Sequence, residues 1–157
     1  MNLESRTILV VDDHEIVREG VRSLLVAARP AWTISEASSG RQAIESIRHN
    51  PADLIVMDVT MPDASGFEVT SELREIGFNR PILIFTMHES GRIVADVKEA
   101  GGQGFVLKSQ ANEDLLRAID ILLNGGTFFP GRHEPEPSRS GPDPATGFFG
   151  RFALNLV

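Results

Sequence analysis

Three aspartates, a threonine and a lysine each follow an apolar run in this sequence, and as a set they could bind a cation. Asp12 and Asp13 follow the first run, Asp58 follows the third, Thr86 follows the fourth, and Lys108 follows the fifth. Clustered carboxylates repel one another and raise each other's pKa values. A hard cation such as Mg²⁺, which takes oxygen ligands, relieves that repulsion.

A carboxylate held beside such a cation is suited to attack a phosphoryl group. Attack by Asp58 would form an acyl phosphate, and phosphoryl transfer needs mainly positioning and neutralisation of charge. The Lys108 ammonium would supply positive charge, and the Thr86 hydroxyl would donate to a phosphoryl oxygen. Each motif is weak alone, because two aspartates after a strand are often only a helix N-cap. The full set favours a functional site.

Five short apolar runs predict the strands that would bring these residues together. They cover residues 8–11, 32–34, 54–57, 82–85 and 104–107. The runs are mostly continuous rather than alternating, which is typical of parallel strands buried on both faces. The second run is weaker and more polar, as an edge strand would be. Ligands of open α/β sheets bind at the carboxyl ends of the strands, so the polar residues should share one rim.

Apolar residues at helical spacing predict a helix after each strand. The second helix should stop before Pro51, and glycine pairs at 101–102 and 125–126 should end the fourth and fifth. This alternation predicts an α/β fold, a doubly wound parallel sheet with helices on both faces. In the fifth helix, Leu116 and Leu123 suggest a second apolar stripe, either a partner surface or wider core burial.

The bulk composition indicates one globular domain with an extension. The 157 residues suit a domain over 1–129 followed by a Pro/Gly-rich tail over 130–157, which we expect to be largely disordered with an apolar end. The net charge of −7 argues against binding nucleic acid or a membrane surface by bulk electrostatics. No cysteine is present, which excludes disulfides and is compatible with the cytoplasm. The first apolar run is too short for a membrane span.

These motifs resemble those of the receiver domains of response regulators, the CheY-like family. The resemblance lies in residues 10–14, residues 57–62, Gly66, Thr86 and Lys108, and it spans roughly residues 5–129. Residues 12–25 and 125–129 resemble the NarL/FixJ branch in particular. The resemblance implies the flavodoxin-like receiver fold, a five-stranded parallel sheet in the order 2-1-3-4-5 flanked by five helices.

The resemblance also implies roles for the site residues. Asp58 would be the phosphoacceptor, and Asp12, Asp13, Asp58 and the backbone carbonyl of Thr60 would bind Mg²⁺. Lys108 would pair with the phosphoryl group. The chain would then be a signalling switch of a two-component system, which catalyses only its own phosphotransfer and slow dephosphorylation, rather than a metabolic enzyme.

The family further implies a conformational switch and partners. Thr86 would hydrogen-bond to the phosphoryl group, and Phe105 would move inward as Thr86 approaches it. Phosphorylation would shift a two-state equilibrium of the Thr86–Phe105 region and of the face made by the fourth helix, the fifth strand and the fifth helix. The partners would be a histidine kinase or phosphotransfer protein, and a downstream protein or a second copy bound through helices four and five.

The sequence departs from the family in two places. Many receivers have a proline with a cis bond after the lysine, whereas Ser109 follows Lys108 here. A non-proline cis bond costs about 3 kcal/mol, so the sequence does not determine the backbone conformation after Lys108. Full-length NarL/FixJ proteins continue into a helix-turn-helix domain, whereas a short tail follows here. The chain could act through protein contacts, relay the phosphoryl group, or be the front half of a DNA-binding regulator.

Two other functional classes remain open from the residues alone. A phosphohydrolase of the haloacid dehalogenase type also uses a strand-end aspartate and Mg²⁺. That class has its nucleophile in an Asp-x-Asp motif after the first strand, whereas Asp12 and Asp13 are adjacent here and the best nucleophile follows the third run. A structural adaptor with a vestigial pocket is the other alternative. His14 is interpreted as a helix-start residue at the pocket edge, and His88 as a solvated loop position.

Overall fold

The computed structural model describes residues 4–131, in which strands and helices alternate along the chain. The strands are β1 (Thr7–Val11), β2 (Thr33–Ala37), β3 (Leu54–Asp58), β4 (Ile82–Thr86) and β5 (Gly104–Leu107). The helices are α1 (Glu15–Ala28), α2 (Gly40–His49), α3 (Gly66–Glu75), α4 (Ile93–Ala100) and α5 (Ala111–Leu123). A short 3₁₀ turn, Lys108–Gln110, leads from β5 into α5.

The five strands form one parallel sheet in the order β2-β1-β3-β4-β5, which confirms the predicted fold. In register, Val11 lies beside Met57, Asp58 beside Phe85, and Thr86 beside Leu107. Because all strands run in the same direction, their carboxyl ends lie along one rim of the sheet. The sheet therefore places the polar residues after β1, β3, β4 and β5 at neighbouring positions.

Two apolar cores, one on each face of the sheet, hold the helices in place. Helices α2, α3 and α4 pack on one face, and α1 and α5 pack on the other. All five residues of β3 and all five of β4 are buried, as expected of central strands covered on both sides. Burial of these continuous apolar runs is the main source of stability for the rim that they support.

The second strand lies later in the chain than the sequence predicts. Trp32 precedes it and is buried, and the strand then continues through Ser35 and Glu36 to Ala37. β2 is an edge strand that pairs only with β1, so polar residues are tolerated along it. Apolar continuity locates central strands better than edge strands, which explains the error.

The fifth helix uses its second apolar stripe for packing. Leu116 and Leu123 are partly buried and contact the same core as Leu115 and Leu122. Wider core burial is therefore the better interpretation of this stripe.

The segment after α5 covers the outer edge of the sheet. Phe128 forms a parallel bridge with Gly104, the Phe105 N–H donates to the Phe128 carbonyl at 3.0 Å, and the Phe128 N–H donates to the Gln103 carbonyl at 3.1 Å. A Cβ atom on Gly104 would lie 2.3 Å from the Phe128 oxygen, so this close approach requires glycine. The described chain ends just beyond, at residue 131.

The expected disordered tail and its apolar end fall mainly on residues 132–157, which lie outside the described residues. Among residues 4–131, none of the helices combines the length and the apolar character needed to cross a membrane.

Candidate functional site

Two aspartates and a lysine meet at the carboxyl ends of the central strands. Asp12 directly follows β1, Asp58 is the last residue of β3, and Lys108 directly follows β5. The Lys108 Nζ lies 2.7 Å from Asp12 Oδ2 and 3.2 Å from Asp58 Oδ1. Asp12 is 1% exposed and Asp58 4% exposed, so both carboxylates are withdrawn from bulk water. The fold thus brings together groups that are 46 to 96 positions apart in sequence.

The backbone around the first strand end fixes the Asp12 side chain. The Asp12 N–H donates to the Ala37 carbonyl at 3.1 Å, continuing the β1–β2 pairing by one residue. Its Oδ1 accepts the backbone N–H of His14 at 2.9 Å, and the His14 ring Nδ1 lies 3.2 Å from the same oxygen. His14 is the residue that precedes α1, so the start of the helix and the carboxylate position each other.

Two carboxylate oxygens at this site are buried without a hydrogen-bond partner in the described part of the chain. They are Asp13 Oδ1 and Asp58 Oδ2. Ligand atoms of Asp12, Asp13, His14 and Asp58 all lie within 4.8 Å of one another. A buried charged oxygen without a partner is costly, and a divalent cation would satisfy both oxygens. The residues present therefore fit a Mg²⁺ site built from oxygen ligands.

The pKa values of Asp58 and Lys108 are both shifted by burial and by the neighbouring charges. Burial raises the pKa of Asp58, the negative charge of Asp12 raises it further, and the Lys108 ammonium opposes both. Burial alone would lower the pKa of Lys108, but its hydrogen bond to Asp12 and the charges of Asp58 and Asp12 outweigh that effect and raise it. Lys108 is therefore a firmly protonated cation beside the two carboxylates.

A cleft of about 480 Å³ opens over these groups to solvent, and the remaining predicted residues line it. Its walls include Asp13, Thr60, Thr86, His88 and Lys108. Thr86 is buried at the end of β4, and its Oγ1 lies 3.3 Å from both the backbone nitrogen and the carbonyl oxygen of His88. The hydroxyl thus lies at the cleft with only long local hydrogen bonds.

Phe105 lies in the core beside the site rather than in the cleft. Its side chain is 1% exposed, and its ring centroid lies 6.4 Å from that of Phe129. Phe129 also lies under the Lys98 ammonium, at 5.1 Å. The predicted switch residue therefore connects β5 with the segment that follows α5.

The backbone after Lys108 has an ordinary geometry. All peptide bonds within residues 4–131 are trans, including the one between Lys108 and Ser109. A 3₁₀ turn over Lys108–Gln110 places the lysine at the strand end without a proline.

A second layer around the site contains an arginine that the sequence analysis did not identify. Arg18 donates from Nη1 to the Asp12 carbonyl at 2.7 Å and from Nε to Glu36 Oε1 at 2.8 Å. Arg22 bonds the other oxygen of Glu36 and the Ile34 carbonyl. Hydrogen bonds from both arginines lower the pKa of Glu36. No local pattern marks Arg18, because Glu36 lies on the next strand.

We expect Arg18 to hold the Asp12 backbone in position for cation binding. Replacing Arg18 with methionine should weaken Mg²⁺ binding about tenfold, as is common for residues that orient metal ligands. The measurement is a Mg²⁺ titration followed through the backbone amide signals of Asp12, Asp13 and Asp58. Arg22→Met is the matched control, since Arg22 shares Glu36 but bonds Ile34 instead of Asp12. Equal Mg²⁺ affinities in the two variants would contradict this role.

The loop after β3 is tied down on both sides. Asp63 accepts the backbone N–H groups of Gly40 and Arg41, at 3.1 and 3.0 Å, and these bonds lower its pKa. At the other end, the Gly66 N–H donates to the Val59 carbonyl at 2.8 Å. The Thr60 backbone between these anchors is therefore held beside Asp58.

Comparisons with known proteins agree with this geometry. The family model of the response regulator receiver domain matches residues 8–120. The nitrate/nitrite response regulator protein NarL of Escherichia coli (strain K12) is 36% identical over 124 residues, which cover 79% of this chain and 57% of that protein. The chain thus spans a little over half the length of this curated relative.

Solved structures show the same similarity. A two-component response regulator of the LuxR family from Aurantimonas sp. SI85-9A1 has a TM-score of 0.74 and 37% identity, covering 80% of this chain and 89% of that one. The chemotaxis protein CheY4 of Vibrio cholerae has a TM-score of 0.70 and 28% identity, covering 76% of this chain and 99% of that one.

Proposed function

This chain belongs to the response regulator receiver domain family, and from that premise we propose that Asp58 is its phosphoacceptor. The observation that carries the proposal is the state of the Asp58 carboxylate. It is buried at the end of β3, with Oδ1 near Lys108 and Oδ2 without a hydrogen-bond partner among residues 4–131. The carboxylate therefore keeps bonding capacity that no described residue uses, at the floor of a cleft through which a phosphoryl donor could enter.

In the proposed reaction, one Asp58 carboxylate oxygen attacks the phosphorus of a phosphohistidine on a histidine kinase or phosphotransfer protein. The O–P bond forms as the P–N bond breaks, and the electron pair of the broken bond returns to the imidazole nitrogen. Burial destabilises the Asp58 carboxylate and raises its pKa, so conversion to an acyl phosphate removes a poorly solvated charge from that oxygen.

Lys108 and Thr86 would stabilise the transferred group. The Lys108 ammonium already lies 3.2 Å from Asp58 Oδ1, close enough to neutralise charge on a phosphoryl group bonded to that residue. The Thr86 hydroxyl lines the same cleft and has only weak bonds to His88 to give up. Its reorientation toward the phosphoryl group would be the first step of the switch.

Asp12, Asp13, Asp58 and the Thr60 carbonyl are the groups that would hold Mg²⁺. When bound, Mg²⁺ supplies positive charge to the phosphoryl oxygens during transfer. The carboxylates would supply the ligand oxygens, and the ammonium of the neighbouring Lys108 already neutralises part of their negative charge. Cation binding would also satisfy the two buried oxygens that accept no hydrogen bond within the described residues.

The output of the switch would be a change in the face made by α4, β5 and α5. Phe105 is on β5, and its ring contacts Phe129 in the segment that follows α5. A shift of Thr86 and Phe105 would therefore be transmitted to this face, where we propose that a downstream protein or a second copy binds. The cytoplasm is the proposed location.

The alternative of a phosphohydrolase with its nucleophile after the first strand receives less support from the site. Asp12 has Oδ2 bound to Lys108 and Oδ1 bound to the His14 backbone, so both of its oxygens are engaged. Receiver domains act as regulators rather than as enzymes of metabolism, and the adaptor alternative is tested by the experiment that follows.

The test is phosphorylation of the whole chain by acetyl phosphate with and without Mg²⁺, followed by intact mass measurement. We expect a single phosphoryl adduct that requires Mg²⁺ and disappears in Asp58→Asn, which keeps the shape of the side chain but removes the nucleophilic carboxylate. Asp53→Asn is the matched control, because Asp53 immediately precedes β3, at the opposite end of the strand from Asp58. An adduct that persists in Asp58→Asn, or none in the folded wild type, would contradict the proposal.

A further inference from the structure

The imidazole of His14 gives this acidic site a fourth ligand of a different chemical kind. Its Nδ1 lies 3.2 Å from Asp12 Oδ1 and 3.3 Å from Asp13 Oδ1. The side chain is 66% exposed and makes no capping bond to α1. The ring therefore does not cap α1, and it faces the two carboxylates with Nδ1 at hydrogen-bonding distance from Asp12 Oδ1.

The spacing of these atoms matches that of ligands around one ion. Zinc bonds to nitrogen and oxygen are about 2.0–2.2 Å long, so adjacent ligands of a tetrahedral zinc lie about 3.3–3.5 Å apart. The two distances from His14 Nδ1 are close to that spacing. A third carboxylate, that of Asp58, completes a set of four whose ligand atoms lie within 4.8 Å of one another.

An independent observation shows that the site has unused capacity for a cation. The Asp58 side chain is 5% exposed, and its Oδ2 accepts no hydrogen bond from any described residue. Lys108 occupies only Asp12 Oδ2 and Asp58 Oδ1. Asp13 Oδ1 and Asp58 Oδ2 therefore remain for the same ion as His14 Nδ1, and Asp12 Oδ1, which accepts the His14 backbone N–H, keeps a second lone pair for that ion.

We propose that Asp12, Asp13, His14 and Asp58 form a binding site for Zn²⁺ or a similar imidazole-binding divalent ion. The inference rests on the proposed function, because it uses the same carboxylates. Imidazole is a good ligand for zinc, copper and nickel, whereas Mg²⁺ prefers oxygen. His14 therefore favours the zinc-class ion without adding affinity for Mg²⁺, and an ion bound in this way excludes Mg²⁺ from the oxygens that phosphorylation needs.

The test compares the zinc affinity of the whole wild-type chain with those of His14→Ala and His88→Ala, by competition with a chromophoric chelator. Removing even an orienting partner of a metal ligand costs about 10- to 100-fold in affinity, so loss of a direct ligand in His14→Ala should cost at least about tenfold. His88 lines the same cleft but does not belong to the cluster, so His88→Ala should bind zinc like the wild type.

Mg²⁺ affinity, measured on the same proteins by amide chemical shifts, separates this proposal from the function on which it rests. We expect His14→Ala to bind Mg²⁺ as the wild type does and to be phosphorylated normally. Equal zinc affinities in the wild type and His14→Ala, or an equal loss in His88→Ala, would overturn the zinc site while leaving Mg²⁺-dependent phosphorylation intact. Failure of Mg²⁺-dependent phosphorylation in the wild type would instead overturn the proposed function.

Discussion

Replacing Gly66 with alanine is expected to lower the free energy of unfolding by about 3 kcal/mol, the upper end of the usual cost of overpacking. A Cβ atom at this position would lie 2.0 Å from the Asp58 backbone oxygen and 3.1 Å from Met57 Cγ. Backbone cannot move aside as a flexible side chain can, so either β3 or the start of α3 must shift. Urea unfolding at equilibrium measures the loss.

The same substitution should impair the site as well as the fold. The colliding oxygen belongs to Asp58 itself, so any relief of the clash displaces the proposed phosphoacceptor. We therefore expect the folded fraction of Gly66→Ala to form the phosphoryl adduct more slowly than the wild type under the same acetyl phosphate conditions. A variant with wild-type stability and wild-type phosphorylation would show that the close approach has no consequence.

Gly20→Ala is the matched control for this prediction. Gly20 is an exposed glycine within α1, and a Cβ atom there would meet no described atom within 4 Å. Alanine is favoured over glycine in a helix by about 0.5–1 kcal/mol. The same change of residue type is thus expected to stabilise the protein at Gly20 and to destabilise it at Gly66, because only the second position contacts the backbone of another element.

Replacing Arg74 with methionine is the second change with a large expected effect on stability. The half-buried guanidinium donates twice to the Gly101 carbonyl, once each to the Phe78 and Arg80 carbonyls, and once to Gln103 Oε1. It thereby joins the ends of α3 and α4 to the start of β4. Burial lowers the pKa of Arg74, but arginine remains charged at neutral pH.

Methionine would keep most of the apolar stem. It would remove the Arg74 donors from the Phe78 and Arg80 carbonyls and leave the Gly101 carbonyl with the longer, 3.3 Å bond from Gln103 Nε2. Buried acceptors that lose a partner cost about 1–3 kcal/mol each, but these lie near the surface and water can replace part of the loss. We therefore expect a total destabilisation of about 3 kcal/mol, measured by urea unfolding. Phosphorylation per folded molecule should change little, since Arg74 lies at the opposite end of the sheet from Asp58.

Arg92→Met provides the comparison for Arg74. Within residues 4–131 the Arg92 side chain makes only surface ion pairs, with Asp96 and Glu99, and it is 66% exposed. Exposed pairs contribute about 0–1 kcal/mol, so this variant should unfold at nearly the wild-type urea concentration. If both arginine variants lost the same stability, the network around Arg74 would have no special importance.

Most of the architecture was determined by the sequence alone, because central strands and helices have strong local signals. Continuous apolar runs predicted β1, β3, β4 and β5, and helical spacing with terminal glycines or proline predicted the helices between them. The strand-end positions of Asp12, Asp58 and Lys108 followed from the apolar runs that precede them, whereas the order of the sheet followed from the resemblance to a known family. The edge strand was predicted over residues 32–34 but runs over Thr33–Ala37. It pairs with another strand on one side only, so it contains polar residues that interrupt the apolar signal.

Only the tertiary structure decided how the site residues contact one another. The 2.7 Å contact of Lys108 with Asp12, the bond from Arg18 to the Asp12 carbonyl, and the approach of Gly66 to the Asp58 backbone join separate elements. Such contacts depend on the packing of helices against the sheet, and no local pattern encodes them. His14 is the clearest case. In sequence it was a helix-start residue, and only the fold shows its imidazole 3.2 and 3.3 Å from two carboxylates.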